Sequence, residues 1–148
     1  PLCHITHGDA TSLDYETNSF DIVFESMMFV EITSDDISGR IAQEMIRVTK
    51  NGGTLLLSDW RYSKPLRADY RGLSQNRIHK LFSVPELCEV KKVVNGALIP
   101  PLGRRLSAWM PALYFAVQKL CPFLSGQIIT ILKKHDPLRA QNGDHSAI

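Results

Sequence analysis

Two short apolar runs, Phe20-Asp21-Ile22-Val23-Phe24 and Thr54-Leu55-Leu56-Leu57-Ser58, flank a segment whose apolar residues recur three or four apart. The runs read as strands buried on both faces of a parallel sheet. Between them Ile37, Ile41, Met45 and Val48, with Ala42 and Ile46 beside, share one face of a helix predicted over 34–50. Thr33 and Ser34 are N-cap candidates, and Thr33-x-x-Asp36 is similar to a capping box. Asp35 and Asp36 suit the positive end of the helix dipole; Arg47 and Lys50 suit the negative end. Asn51-Gly52-Gly53 is expected to stop the helix, since Gly supplies the positive φ of a C-terminal turn. Strand, helix and strand then form a right-handed crossover. Ligands in such sheets bind outside the carboxyl ends of the strands. Those ends are Glu25-Ser26-Met27 and Asp59-Trp60-Arg61.

The rest of the pattern is less regular. Residues 2–8 have a short strand look. Residues 61–79 carry Arg61, Lys64, Arg67, Arg71 and Arg77 and follow a strand end, so they read as a loop or short helix that covers the ligand. Residues 77–82 have helical character, and Ser83-Val84-Pro85-Glu86-Leu87 reads as a helix start with Pro at its first position. Glu89 to Asn95 is a strand candidate, closed by Asn95-Gly96. Leu102, Leu106, Trp109, Leu113, Val117 and Leu120 recur at helical spacing, and Pro111 is expected to kink or split that helix. Gln127 to Leu132 is strongly β-forming. The reading is a domain over 1–134 and a disordered tail over 135–148.

Composition narrows the function little. The 148 residues suffice for one domain with a real core. A net charge of +2, scattered along the chain, gives no basis for nucleic-acid binding. Cys3, Cys88 and Cys121 are far apart and form no CxxC pair, which suits reduced thiols in a cytoplasmic protein. His4 and His7 would lie on opposite faces of a strand, so no metal site is expected. No apolar run is long enough for a membrane span. The chain starts Pro-Leu-Cys-His, without Met or a signal pattern, and is expected to be a piece of something longer.

Gly8-Asp9-Ala10, Phe20-Asp21-Ile22-Val23, Glu44-x-x-Arg47-Val48-x-x-Asn51-Gly52-Gly53 and Asp59 occur in an order and spacing that resemble the class I S-adenosylmethionine-dependent methyltransferases, in particular their small-molecule, quinone-biosynthesis-like branch. The match covers residues 5–60 well; the remainder agrees in order of elements. The resemblance implies an α/β fold: a partial Rossmann-like sheet carrying strands 3 to 7 of the family order 3-2-1-4-5-7-6, with flanking helices. It implies S-adenosyl-L-methionine as cofactor. The Asp9 carboxylate would accept from the adenine amino group, with the Ala10 N–H facing the ring. Glu25, Ser26 and Met27 would line the methionine part and the sulfonium. Glu31 sits where many relatives place a His near the substrate and is the candidate catalytic base. Asp59, Trp60 and Arg61 would lie at the acceptor entrance. The family's glycine-rich loop of the GxGxG kind is absent from these residues. Its absence leads to the expectation of a strand 4 with an unpaired apolar edge, and of an inactive fragment.

Methyl transfer from a sulfonium is an in-line displacement, so positioning carries much of the catalysis. A base is needed only when the acceptor must lose a proton. Phe29, Trp60, Tyr62 and Tyr70 suit a small apolar or aromatic acceptor, and suit a core equally. Residues 102–124, with Arg104 and Arg105 ahead of Trp109, Met110, Leu113, Tyr114 and Phe115, are amphipathic enough for peripheral membrane contact; packing on the sheet is the competing reading. A non-catalytic α/β domain that binds or assembles with a partner is the alternative function.

Overall fold

The computed structural model describes residues 3–64 and 66–136. Its elements are β1 (Phe20–Ser26), α1 (Asp35–Val48), β2 (Thr49–Trp60), α2 (Gln75–Leu81), β3 (Cys88–Asn95), α3 (Pro100–Trp109), α4 (Pro111–Leu120) and β4 (Gln127–Lys134), with 3-10 turns at Phe29–Glu31 and Pro122–Leu124. The sheet order is β1-β2-β4-β3. β1 and β2 are parallel, and β4 runs antiparallel to both β2 and β3. This is the 4-5-7-6 part of the expected order. The expected third strand is not formed: residues 3–8 have no regular structure and are exposed throughout. A strand needs a neighbour for its N–H and C=O groups, and none lies beside this segment.

One sheet face carries the core. Leu55, Leu57 and Leu132 pack against Ile41, Ala42, Met45 and Ile46 of α1 and Ile78 and Leu81 of α2. The side chains of β1 alternate as the pleat requires. Val23 and Glu25 turn inward, whereas Phe20, Ile22 and Phe24 face out, the last two 61% and 60% exposed. Among the described residues β1 pairs only with β2, so the expected unpaired apolar edge is present.

α1 starts at Ser34, whose hydroxyl accepts from the Ile37 N–H at 3.4 Å. It ends earlier than Asn51-Gly52-Gly53 suggested. Thr49 is already extended, its Oγ1 donates to the Met45 carbonyl at 2.7 Å, and Lys134 Nζ donates to the carbonyls of Ile46 and Thr49. The last carbonyls of the helix are thus satisfied without a glycine turn. Gly52 does take φ +69, but inside β2, where the register with β1 jumps from Phe20↔Thr49 to Ile22↔Thr54. The glycine serves a bulge rather than a cap.

Two other expectations change. Ser83–Leu87 is a turn instead of a helix start: Ser83 takes φ +46, closing α2. The helix predicted from Leu102 begins at Pro100, and it divides at Met110 (φ −146, ψ 79) just before Pro111. The tail beyond Asp136 lies outside the described residues. No described helix is long and apolar enough to cross a membrane.

Gly126 precedes β4, and a Cβ placed there would run into the Trp60 indole at the end of β2. Gly126→Ala is therefore expected to lower stability by about 1–3 kcal/mol through overpacking. Urea unfolding of the variant beside the parent chain checks this; equal midpoints would contradict it.

Candidate active site

The parallel pair β1–β2 carries two carboxyl groups at its carboxyl ends, beside a cavity that Glu25 lines. Glu25 and Asp59 are both buried. The chain leaves β1 through Met27, a non-glycine residue at φ +59, whose N–H donates to the Ser58 carbonyl at 3.0 Å. The 3-10 turn that follows is fastened by Asp59. Asp59 Oδ2 accepts from the Val30 N–H at 3.1 Å, and Oδ1 from the Trp60 N–H at 2.7 Å. Glu25 Oε2 accepts from the Met28 N–H at 3.3 Å, while Glu25 Oε1 is buried without a hydrogen-bond partner.

Burial, and next the Asp59 charge, push the Glu25 carboxyl up to about 8. Burial pushes Asp59 up to about 6, opposed by the Trp60 and Val30 N–H groups and by Arg77. Glu25 is thus the proton carrier of the pair at neutral pH.

Above these carboxyls runs the basic loop. The Leu73 N–H donates to the Trp60 carbonyl at 2.7 Å, and the Arg71 N–H to the Val30 carbonyl at 2.9 Å. The loop therefore crosses the strand ends, as its position in the sequence suggested. Buried Arg77 locks it in place: Nη1 donates to the carbonyls of Phe29 and Arg71, and Nη2 to the Ile32 carbonyl and the Ser38 hydroxyl. Tyr70 is also buried, its hydroxyl without a partner and its ring capped by Lys64 Nζ at 3.9 Å. Burial and the Asp59 and Glu31 charges push that phenol up to about 12, so it is protonated.

The expected site residues separate into groups. Glu25 and Ser26 line a cavity of about 340 Å³ with Ala10, Leu13, Phe24 and Met28, so the 9–13 loop and the β1 end do meet. Asp9 is exposed and closes an Asx turn, its Oδ1 accepting from Thr11 N and Oγ1, both at 2.8 Å. These bonds hold its carboxyl below the usual range. Arg61 turns to the Pro122 carbonyl at 3.2 Å and, with Tyr62, Gln75 and Phe123, lines a separate cavity of about 460 Å³ near the β2 end. Trp60 packs over Gly126. Glu31 is exposed at the end of the 3-10 turn. Phe29 takes the core position that the sequence equally allowed: it is fully buried, edge-on to Phe82 at 5.8 Å. The turn after Met27 tucks the ring under β2 instead of toward the crevice.

Arg77 and Asp59 are the organising pair of this site. Asp59 was visible as a strand-end carboxylate. Arg77 was one of five basic residues in a stretch, with no local signal of burial. A roomier cavity, about 470 Å³, lies between α1 and α2 and is lined by Asp35, Gly39, Asn76, Arg77 and Lys80. It opens between helix flanks rather than at the strand ends.

Comparison with known proteins agrees with this architecture. No curated protein sequence matches the chain. Among solved structures, the [4+2]-cyclase SpnF is 18% identical over 88% of this chain and 56% of its own, with a TM-score of 0.57. A structure described as SAM-dependent methyltransferases, from Methanosarcina mazei, is 14% identical over 87% and 65%, with a TM-score of 0.55. The N-methyltransferase NodS from Bradyrhizobium japonicum, solved with S-adenosyl-L-homocysteine, is 10% identical over 86% and 52%, with a TM-score of 0.57. The chain spans between half and two thirds of the length of each. Residues 1–57 match the family model described as a methyltransferase domain. Residues 1–57 are thus similar to a methyltransferase domain, and the chain shares the fold of these solved structures.

Proposed function

We propose that this chain contributes the β1–β2 crevice of an S-adenosyl-L-methionine-dependent methyltransferase acting on a small, apolar or aromatic acceptor. The observation that carries the reading is Glu25: a buried carboxyl with one unpartnered oxygen, on a residue that lines a cavity at the carboxyl end of β1. A carboxyl at this position would serve a cationic or hydrogen-bonding group of a ligand if the side chain turns toward the cavity. The cofactor, when bound, supplies an electrophilic methyl on a sulfonium. Glu25, Ser26 and Met27 would hold its sulfonium end, with Asp9 and the Ala10 N–H at the adenine. Asp59 keeps the 3-10 turn fixed so that these groups stay aligned. Trp60 and Arg61 would form the acceptor mouth, and exposed Glu31 would take a proton if the acceptor has one to lose. Because one structural neighbour is a cyclase, the fold alone does not choose the reaction.

The absence of a glycine-rich loop from the sequence leads us to expect weak binding by this chain alone. Calorimetric titration of S-adenosyl-L-homocysteine into the chain, beside a form extended upstream, tests this. The reading predicts at least about tenfold tighter binding by the longer form, or about 1.4 kcal/mol. Equal binding by both would remove the requirement for the loop. Binding by neither would remove the methyl-transfer reading and favour an assembly domain, for which the open β1 edge is suited to strand addition.

A further inference from the structure

The helical pair α3–α4 leaves its bulkiest apolar side chains outside the core. Amphipathic helices normally direct the apolar stripe at the core. Here the inward groups include polar ones. The Tyr114 hydroxyl accepts from the Leu98 N–H at 3.2 Å, and Gln118 Nε2 donates to the Gly96 carbonyl at 2.6 Å. Leu102, Leu106 and Val117 are half-buried, but the bulkier apolar side chains stand in solvent. Trp109 is 88% exposed, Leu120 78% and Phe115 68%, and Met110 and Phe123 are exposed beside them. Exposed apolar groups gathered in this way mark an interaction surface.

Charge identifies the partner. Residues 97–126 contain Arg104, Arg105 and Lys119 and no acidic residue. All three basic side chains are exposed. Neither helix can cross a bilayer. Aromatic and aliphatic groups beside uncompensated cations, on helices too short to span, are the chemistry of an interfacial anchor. We propose that α3–α4 docks on an anionic membrane surface, with Trp109, Phe115 and Leu120 entering the headgroup boundary and Arg104, Arg105 and Lys119 meeting anionic headgroups.

Flotation of the full chain with phosphatidylglycerol–phosphatidylcholine vesicles, beside phosphatidylcholine vesicles, tests this; aggregated protein stays at the bottom and does not register as bound. Binding is expected to the anionic vesicles and to fall steeply in high salt. The exposed-site variant Trp109→Ser/Phe115→Ser/Leu120→Ser should lower the bound-to-free ratio by about tenfold or more. A second variant, Arg104→Glu/Arg105→Glu, should lose anionic-vesicle binding and keep its weak neutral-vesicle binding. Failure of the parent chain to float, or unchanged flotation of both variants, overturns the proposal. A parent chain that fails to float and has twice the mass of the triple variant by light scattering would assign the face to a second copy instead, and overturns it too.

Discussion

Arg77→Ala is expected to lower unfolding free energy by about 3 kcal/mol or more. The guanidinium makes four hydrogen bonds, three of them to carbonyls of Phe29, Ile32 and Arg71, and it is buried. Its loss leaves the Ile32 and Arg71 carbonyls unpaired in a dry environment, at about 1–3 kcal/mol each before relaxation, and opens a cavity as well, while the Phe29 carbonyl keeps the Ile32 N–H. The three carbonyls belong to the turn after β1 and to the loop over the strand ends, so the site should loosen with the fold. At roughly 2–4 °C per kcal/mol for a chain of this size, the midpoint of thermal unfolding should fall by about 6–12 °C. Arg77→Lys keeps the charge but not the planar fork, and it should recover only part of the loss. A shift below about 1 kcal/mol for Arg77→Ala would show that water or relaxation satisfies those carbonyls.

The second large effect is on pH dependence. Glu25 is raised from 4.5 to about 8 in the folded chain, chiefly by burial and then by the Asp59 charge. Between those values the folded state binds more protons than the unfolded state. Stability therefore falls as pH rises through that window, and is greatest on its acid side. Asp59, raised from 3.8 to about 6, acts in the same direction over a lower window. Glu25→Gln mimics the protonated carboxyl and removes the larger contribution. Urea unfolding at pH 5 and pH 8 should show the parent chain losing on the order of 3 kcal/mol relative to the variant. A parallel response of the two proteins would mean that Glu25 ionises as freely in the fold as outside it.

How much of this was legible in the sequence depends on the range of the interactions. α1, β1 and β2 announced themselves through period and length, since amphipathic and buried runs are local signals. β3 and β4 were found the same way, although their places in the sheet order were carried by the family resemblance and their antiparallel pairing came only with the fold. The strand expected over residues 2–8 had the right composition and no partner to pair with. Gly52 was identified as a positive-φ residue and assigned to the wrong device, because a cap and a bulge both favour glycine. Glu25 and Asp59 could be placed at strand ends from the pattern alone. Their proximity, the orphaned Glu25 oxygen and the shifts that follow depend on the register Ser26↔Ser58 and the turn folded over it. Arg77 was hidden for the same reason: a basic residue in a loop gives no sign of burial, and its partners lie up to 48 residues away.

The most direct measurement is to titrate S-adenosyl-L-homocysteine into isotopically labelled protein and follow the backbone amides. If the crevice beyond β1 and β2 is the site, the largest shifts fall on Asp9–Leu13 and Glu25–Met28, and the Val30 amide held by Asp59 moves with them. Largest shifts instead along the cavity between α1 and α2, at Gly39, Asn76 and Lys80, would place the ligand elsewhere and contradict the assignment.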